Sequence, residues 1–190
     1  CNASPIGDTP PVLLALHATI IVQSRGGTRA IPVDEFFLDY RKTALKPGEI
    51  LARVEVSRPA LGAKQAAYKV SKRRELDISA VCAAILVEVN EEEKITAARV
   101  AFGGMAATPS RAREVESVLV GSPYTQATFE EASQAVERDF TPIADHRGSA
   151  WYRATVARNL VAAFYEETRD EDAPRLPDRP SHTCVLEVSP

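Results

Sequence analysis

Apolar residues gather along this chain in two patterns, short strand-like runs through most of the first two thirds and helical spacing of every third or fourth position in the last. Residues 1 to about 11, CNASPIGDTPP, follow neither; small, polar and Pro-rich, they predict an irregular loop of the kind that can face a ligand. VLLALHA is apolar enough for a short buried helix. ATIIVQ and TRAIPV, joined through SRGG at Gly26 and Gly27, predict a hairpin. In residues 34–48, Pro47 and Gly48 mark a turn before the strand ILARVEV, and 58–62 form a connection. Three strand-like runs follow at 66–72, 78–89 and 95–103. The second, ISAVCAAILVEV, is almost continuously apolar and belongs in the middle of a sheet, with NEEEK as the charged turn after it.

The last third turns helical. Ser110 is placed to cap a helix running to about Val120, and Thr128 with Glu131 has capping-box spacing ahead of Phe129, Ala132 and Val136. From 149 to 168, Tyr152, Val156, Leu160, Ala163 and Phe164 keep helical spacing, and Trp151 is assigned to packing. Strands followed by segregated helices predict an α+β fold, a small sheet covered on one face by a helical layer. Residues 1–58 are expected to form one unit, 59–168 a second, and 169–190, Pro-rich and charged, a flexible tail. No internal repeat is visible.

Composition narrows the function classes. The chain has 190 residues, 45% of them hydrophobic, and a formal net charge of -3 with acids and bases interspersed, which offers nucleic acid no basic face. No apolar stretch reaches the roughly 18 residues of a membrane span. Cys1, Cys82 and Cys184 are far apart and odd in number, which suits neither a disulfide framework nor a metal knuckle and points to a reducing cytoplasm. An opening Cys in place of Met predicts a piece of a longer protein.

Hydrolase and zinc signatures (GxSxG, a P-loop, HExxH) are missing, and His17, His146 and His182 lack ligand spacing, so packed or surface histidines are expected. Gly103 and Gly104 read as a strand-ending turn with tight packing, because no GxGxxG pattern follows a βα unit. Lys72, Arg73 and Arg74 could attract a dinucleotide phosphate, or form a solvated or subunit-contact face.

The opening CNASPIGDTPPVLLALHA closely resembles the second FAD-binding segment of the xanthine dehydrogenase and carbon monoxide dehydrogenase flavoproteins, a segment that usually starts GGNI and continues xNxSPxxDxPP. FFLDYRKTALKPGEIL, YKVSKRRELDISAV and RVAFGGMAATPSRA follow in the family order, so the likeness covers the chain to about Thr168. It implies the C-terminal part of an FAD-binding lobe, then a three-stranded antiparallel sheet packed on a helical layer. YRKT at 40–43 resembles the xanthine dehydrogenase branch, where the carbon monoxide dehydrogenase branch reads closer to FxT.

The resemblance also implies roles for single residues. Asp8 would accept hydrogen bonds from ribityl or neighbouring hydroxyls of FAD, where a loop carboxylate otherwise satisfies local amides. Asn2 and Ser4 would share its loop and let main-chain N–H groups approach the cofactor. Leu51 would meet the isoalloxazine edge, or else be plain strand core. Lys69 would place a cation near the ring and stabilise the reduced, anionic flavin. Tyr40 would stand where nicotinamide approaches, and Asp77 beside the flavin at the NAD+ entry, against an exposed turn tyrosine and a capping aspartate. No metal ligand or general base is assigned.

The family role is oxidation of hypoxanthine or xanthine at a molybdenum cofactor, transfer across [2Fe-2S] clusters, and delivery through FAD to NAD+. The molybdenum and iron–sulfur centres would lie on other parts or partner subunits of a hetero-oligomer, since no cysteine set here could hold a cluster. The rival expectations are a sibling flavoprotein of a carbon monoxide, aldehyde or N-heterocycle dehydrogenase, and a non-catalytic assembly module.

Overall fold

Pro10 and Pro11 open the first helix, α1 (Thr9–Ala15), in the computed structural model, which describes residues 4–73 and 77–170. Their missing N–H groups fall in a first turn whose donors have no helical partner anyway. The helix lies slightly earlier than VLLALHA predicts, because the prolines extend it backward.

β1 (Thr19–Ser24) and β2 (Gly27–Pro32) form the expected hairpin, with Gly27 at φ 126°. β1 also pairs antiparallel with β5 (Ile50–Glu55), giving the order β2-β1-β5. Between them, Val33, expected to end the TRAIPV strand, and the residues after it, for which the sequence predicts no helix or strand, make a single turn, α2 (Val33–Phe36), and a two-stranded tip, β3 (Phe37–Asp39) with β4 (Lys42–Thr43). Ile20, Val22 and Ile31 of this sheet pack with Leu13 and Leu14 of α1 and with Phe36 and Phe37.

β6 (Lys64–Val70), β7 (Val81–Val89) and β8 (Ile95–Gly103) are the three predicted strands, all antiparallel, and β9 (Ser110–Arg111) adds a short edge beside β8. The near-continuous apolar run of β7 is explained by cover on both sides. Val81, Ala83, Ile85 and Val87 face a core built with α3 (Arg113–Leu119), α4 (Gln126–Asp139) and α5 (Ala150–Thr168). Ala84 and Leu86, on the alternate face, lie with Val12, Ala15 and Leu16 at the end of α1.

The helices correct three readings. Ser110 belongs to β9 and bonds Thr108; α3 starts at Arg113, and Asp139 at the end of α4 accepts from the N–H groups of Glu114 (3.0 Å) and Val115 (3.1 Å). The cap is thus supplied by another helix, which local sequence does not announce. Thr125, not Thr128, caps α4, its Oγ1 accepting from Thr128 N. On α5, which Ser149 caps by accepting from Tyr152 N at 3.1 Å, the buried stripe is Arg153, Ala157, Leu160, Val161 and Phe164. Trp151 therefore points outward, 74% exposed, instead of packing. The predicted tail from 171 onward lies outside the described residues.

Candidate functional site

Alternation along β6 decides where its two polar side chains go. Tyr68 turns to the helical layer, buried, and its hydroxyl donates to Glu167 at 2.9 Å. Lys69 turns to the opposite face, where its Nζ meets Asp8 Oδ2 at 2.7 Å. Asp8 precedes α1 without a side-chain capping bond, so its carboxylate is free to serve this contact. The other oxygen, Oδ1, accepts from the hydroxyl of Ser79, and the main-chain carbonyl of Asp8 accepts from Cys82 Sγ at 3.4 Å. Two residues assigned by resemblance, 61 positions apart, are thereby brought together.

Asp8 and Lys69 are 43% and 41% exposed, so water screens the pair and leaves each able to turn to a ligand. Burial pushes the Cys82 thiol up to about 12, which keeps it neutral and unreactive. Ser79, 1% exposed, was not singled out in the sequence. Its signal was a hydroxyl at the mouth of the apolar run, just before the strand proper begins at Val81.

A cleft of about 550 Å³ opens beside this loop. Ser4, Pro5 and Ile6 line one side, Tyr40 and Arg41 at the β3 and β4 tip another, and Asp145, Arg147 and Arg153 the floor. Ser4 and Tyr40 therefore share a cavity. Tyr40 is 61% exposed, held in place by its tight turn, where Arg41 adopts φ 57° and Tyr40 N donates to Asp39 at 2.7 Å.

Arg147 also lines a second cavity of about 510 Å³, with Lys72, Arg73, Asp77, Ile78 and His146. Asp77 accepts from Arg73 N (2.8 Å) and Ile78 N (3.0 Å), and the first of these bonds does most to hold its carboxyl below the usual range against the opposing effect of burial. It thus organises its own loop. Lys72 Nζ donates to His146 O at 2.6 Å, joining the loop to the turn ahead of α5.

Leu51 stands apart among the described residues, partly buried against the Leu13 and Ile20 cluster as plain core packing would place it. Asn2 and Arg74 lie outside the described residues.

Gly103 and Gly104 form the expected tight turn. Gly104, at φ 83°, donates its N–H to Pro5 O at 2.8 Å, and a Cβ there would fall on Ala80 O and lie 2.9 Å from Arg153 Nη1. Arg153 is the largest feature that the sequence reading passed over. A charged residue in helical spacing reads as solvent-facing, yet it is 1% exposed and bonded to Ala80 O, Gly104 O (2.8 Å) and Asp145 (2.6 Å). Burial pushes the Asp145 carboxyl up, but the N–H of Arg147 and the Arg153 guanidinium outweigh it and hold the group at about 2.

Among the described residues, no helix is long and apolar enough to cross a membrane. Residues 66–168 match the CO dehydrogenase flavoprotein C-terminal domain, and residues 1–59 the FAD binding domain in molybdopterin dehydrogenase. The chain is 36% identical over 168 residues to a glyceraldehyde dehydrogenase medium chain of Sulfolobus acidocaldarius, covering 87% of this chain and 58% of that one. It is 35% identical over 190 residues to a xanthine dehydrogenase of Emericella nidulans, covering 98% of this chain and 14% of the larger protein. A solved CO dehydrogenase from Oligotropha carboxidovorans superposes with TM-score 0.79 at 26% identity, over 85% of this chain and 56% of its counterpart. The chain spans little more than half of the glyceraldehyde dehydrogenase medium chain and a small part of the xanthine dehydrogenase.

Proposed function

Because the chain belongs to the flavoprotein family of the molybdenum hydroxylases, we propose that it forms the C-terminal portion of the FAD-binding unit of a xanthine dehydrogenase, which passes electrons from molybdenum and iron–sulfur centres through FAD to NAD+. The observation that carries this reading is the meeting of Asp8, Lys69 and Ser79 at the end of a loop whose residues 4–6 line a cleft of ligand size. These residues fit a flavin. A half-exposed carboxylate can accept from ribityl hydroxyls, a half-exposed ammonium can face an electron-rich ring, and Ser4 and Gly7 are small enough for a ligand to come close to their loop. When bound, FAD supplies the two-electron chemistry that links an iron–sulfur path to a nicotinamide.

In this reading Asp8 holds hydroxyls, Asn2 and Ser4 shape the loop around them, and Leu51 lends its strand to the ring edge. Lys69 stabilises negative charge on the reduced ring. Tyr40 and Asp77 border the approach of NAD+, along a path where Lys72, Arg73 and Arg147 offer cations to its phosphates. Residues 1–58 would complete the cofactor lobe and 59–168 carry Lys69 and the helical layer, with 169–190 as a tail. The partners would be the molybdenum subunit and the iron–sulfur domain.

YRKT at 40–43 favours a purine substrate, whereas the glyceraldehyde dehydrogenase relative favours an aldehyde. The test is NAD+ reduction by the complete enzyme that contains this chain. Turnover with xanthine is expected; turnover with glyceraldehyde and none with xanthine would assign the sibling activity. A complete, folded and colourless flavoprotein subunit would reject the flavin reading.

A further inference from the structure

We infer that Arg153 is a positioning residue for the cofactor loop, its guanidinium fixing together the two points on which residues 4–8 rest. The inference builds on the reading that this loop faces FAD. One point is Gly104, whose N–H donates to Pro5 O at 2.8 Å and whose carbonyl accepts from Arg153 Nη1 at 2.8 Å. The other is the start of β7, where Ser79 donates to Asp8 and the adjacent Ala80 carbonyl accepts from the same Nη1. A single nitrogen thus bridges the supports beneath Pro5 and beneath Asp8.

Packing alone does not call for an arginine here. The rest of the buried α5 stripe is apolar or small, namely Ala157, Leu160, Val161 and Phe164. Arg153 Nε is buried with no hydrogen-bond partner, an arrangement that costs stability relative to an apolar side chain of similar length. The chain also keeps a glycine at 104, in a left-handed conformation, where any Cβ would collide with the guanidinium and the Ala80 carbonyl. Such costs at one junction mark a geometry held for a site.

Asp145 completes the clamp. Its carboxylate accepts from Arg153 Nη2 at 2.6 Å and from the N–H groups of Arg147 (2.8 Å) and Gly148 (3.3 Å), so the turn that carries Arg147 into both cavities is set by the same charge. Arg153 touches no reacting atom in this scheme. It orients Asp8 toward Lys69 and fixes the wall of the cleft.

The test uses the complete flavoprotein with Arg153→Met, Asp145→Ala and the core control Val115→Ala, compared by Tm, by the FAD dissociation constant and by the visible circular dichroism of the bound flavin. Loss of charged hydrogen bonds predicts a rise in the FAD dissociation constant of about tenfold for Arg153→Met and about threefold for Asp145→Ala, with an altered dichroic band in both. Val115→Ala, fully buried in the same core, is expected to lower Tm while leaving affinity and band at wild-type values. Arg153→Met and Asp145→Ala with wild-type affinity and band would overturn the inference. Should Arg153→Met fail to fold, Asp145→Ala on the surface turn separates the same two outcomes. A wild-type subunit that takes up no FAD would overturn the functional reading itself, a result distinct from FAD uptake indifferent to the clamp.

Discussion

Strand β7 buries both of its faces, whereas β5 buries little of either, and the contrast extends to the two halves of the molecule. From Val81 to Val87 every residue is within 5% exposure, held between α1 on one side and α3 to α5 on the other. On β5, Ile50 is 65% exposed, and only Leu51 and Val54 lean on the small cluster beneath. That cluster includes Ala101 of β8, so the first sheet draws part of its core from the second. The lesson is a division of labour. Lys69 on β6, Ser79 just before β7 and the Gly104 turn just after β8 belong to the sheet that holds the doubly covered strand, and the exposed Tyr40 tip stands on the two-stranded β3 and β4.

The contrast breaks most visibly in the core of the helical layer. Phe129, 1% exposed, meets Phe164 at 5.7 Å and Tyr124 at 5.2 Å between ring centroids. Phe129→Ala should cost about 3–5 kcal/mol in urea unfolding, through lost transfer energy and the cavity left behind. Ile50→Ala on the thin sheet should stay within about 0.5 kcal/mol. Equal losses would show that the two sheets share one core equally. Next in size, Gly104→Ala forces a Cβ into a left-handed residue against Ala80 and Arg153 and should cost about 1–3 kcal/mol, with FAD binding weakened alongside stability. A neutral result would show that the turn holds no strain.

Loop and sheet should also separate in function. Asp8→Ala in the complete protein is expected to weaken FAD binding about tenfold and to cost about 1–3 kcal/mol of stability, because the buried Ser79 hydroxyl loses its acceptor while the solvated pair with Lys69 adds little. Lys69→Ala, on the sheet, should slow flavin reduction more than it weakens binding, measured by stopped-flow absorbance. Unchanged flavin content and unchanged rates would remove both residues from the site.

Much of this division was legible in the sequence, and the contacts around the site that were missed share one cause. The apolar run of β7, the hairpin at Gly26 and Gly27, and the extent of α5 follow from local period and turn chemistry. Asp8 and Lys69 stand in motifs that a family resemblance can assign. Asp139 capping α3, Ser79 reaching Asp8, and Arg153 reaching Ala80 depend on partners 24 to 73 positions away, and no periodicity carries such contacts. Arg153 also displaced the predicted stripe of α5. A reading that assigns charge to solvent turns the helix about one residue and sends Trp151 inward, where the structure has it outside.

Two acid-sensitive contacts give the finest probe of whether the halves are independent. Glu49, on the thin side, is held at about 2 chiefly by its forked pair with Arg29, both contacts at 2.8 Å, and then by Lys46 N. Asp145, on the covered side, is also held at about 2, by hydrogen bonds that overcome its burial. Both folded values lie below the ordinary 4.5 and 3.8, so each contact stabilises the fold fully above those values and loses that effect as pH falls toward 2. Hydrogen exchange between pH 5 and pH 2, windowed on those same shifts, should therefore show protection falling in β1 and β2 and in α5. Glu49→Gln should flatten the pH dependence of β1 and β2 alone, and Asp145→Asn that of α5 alone, each starting from lower protection at neutral pH. If either substitution flattens both regions together, the two sheets unfold as one unit and the division drawn between them fails.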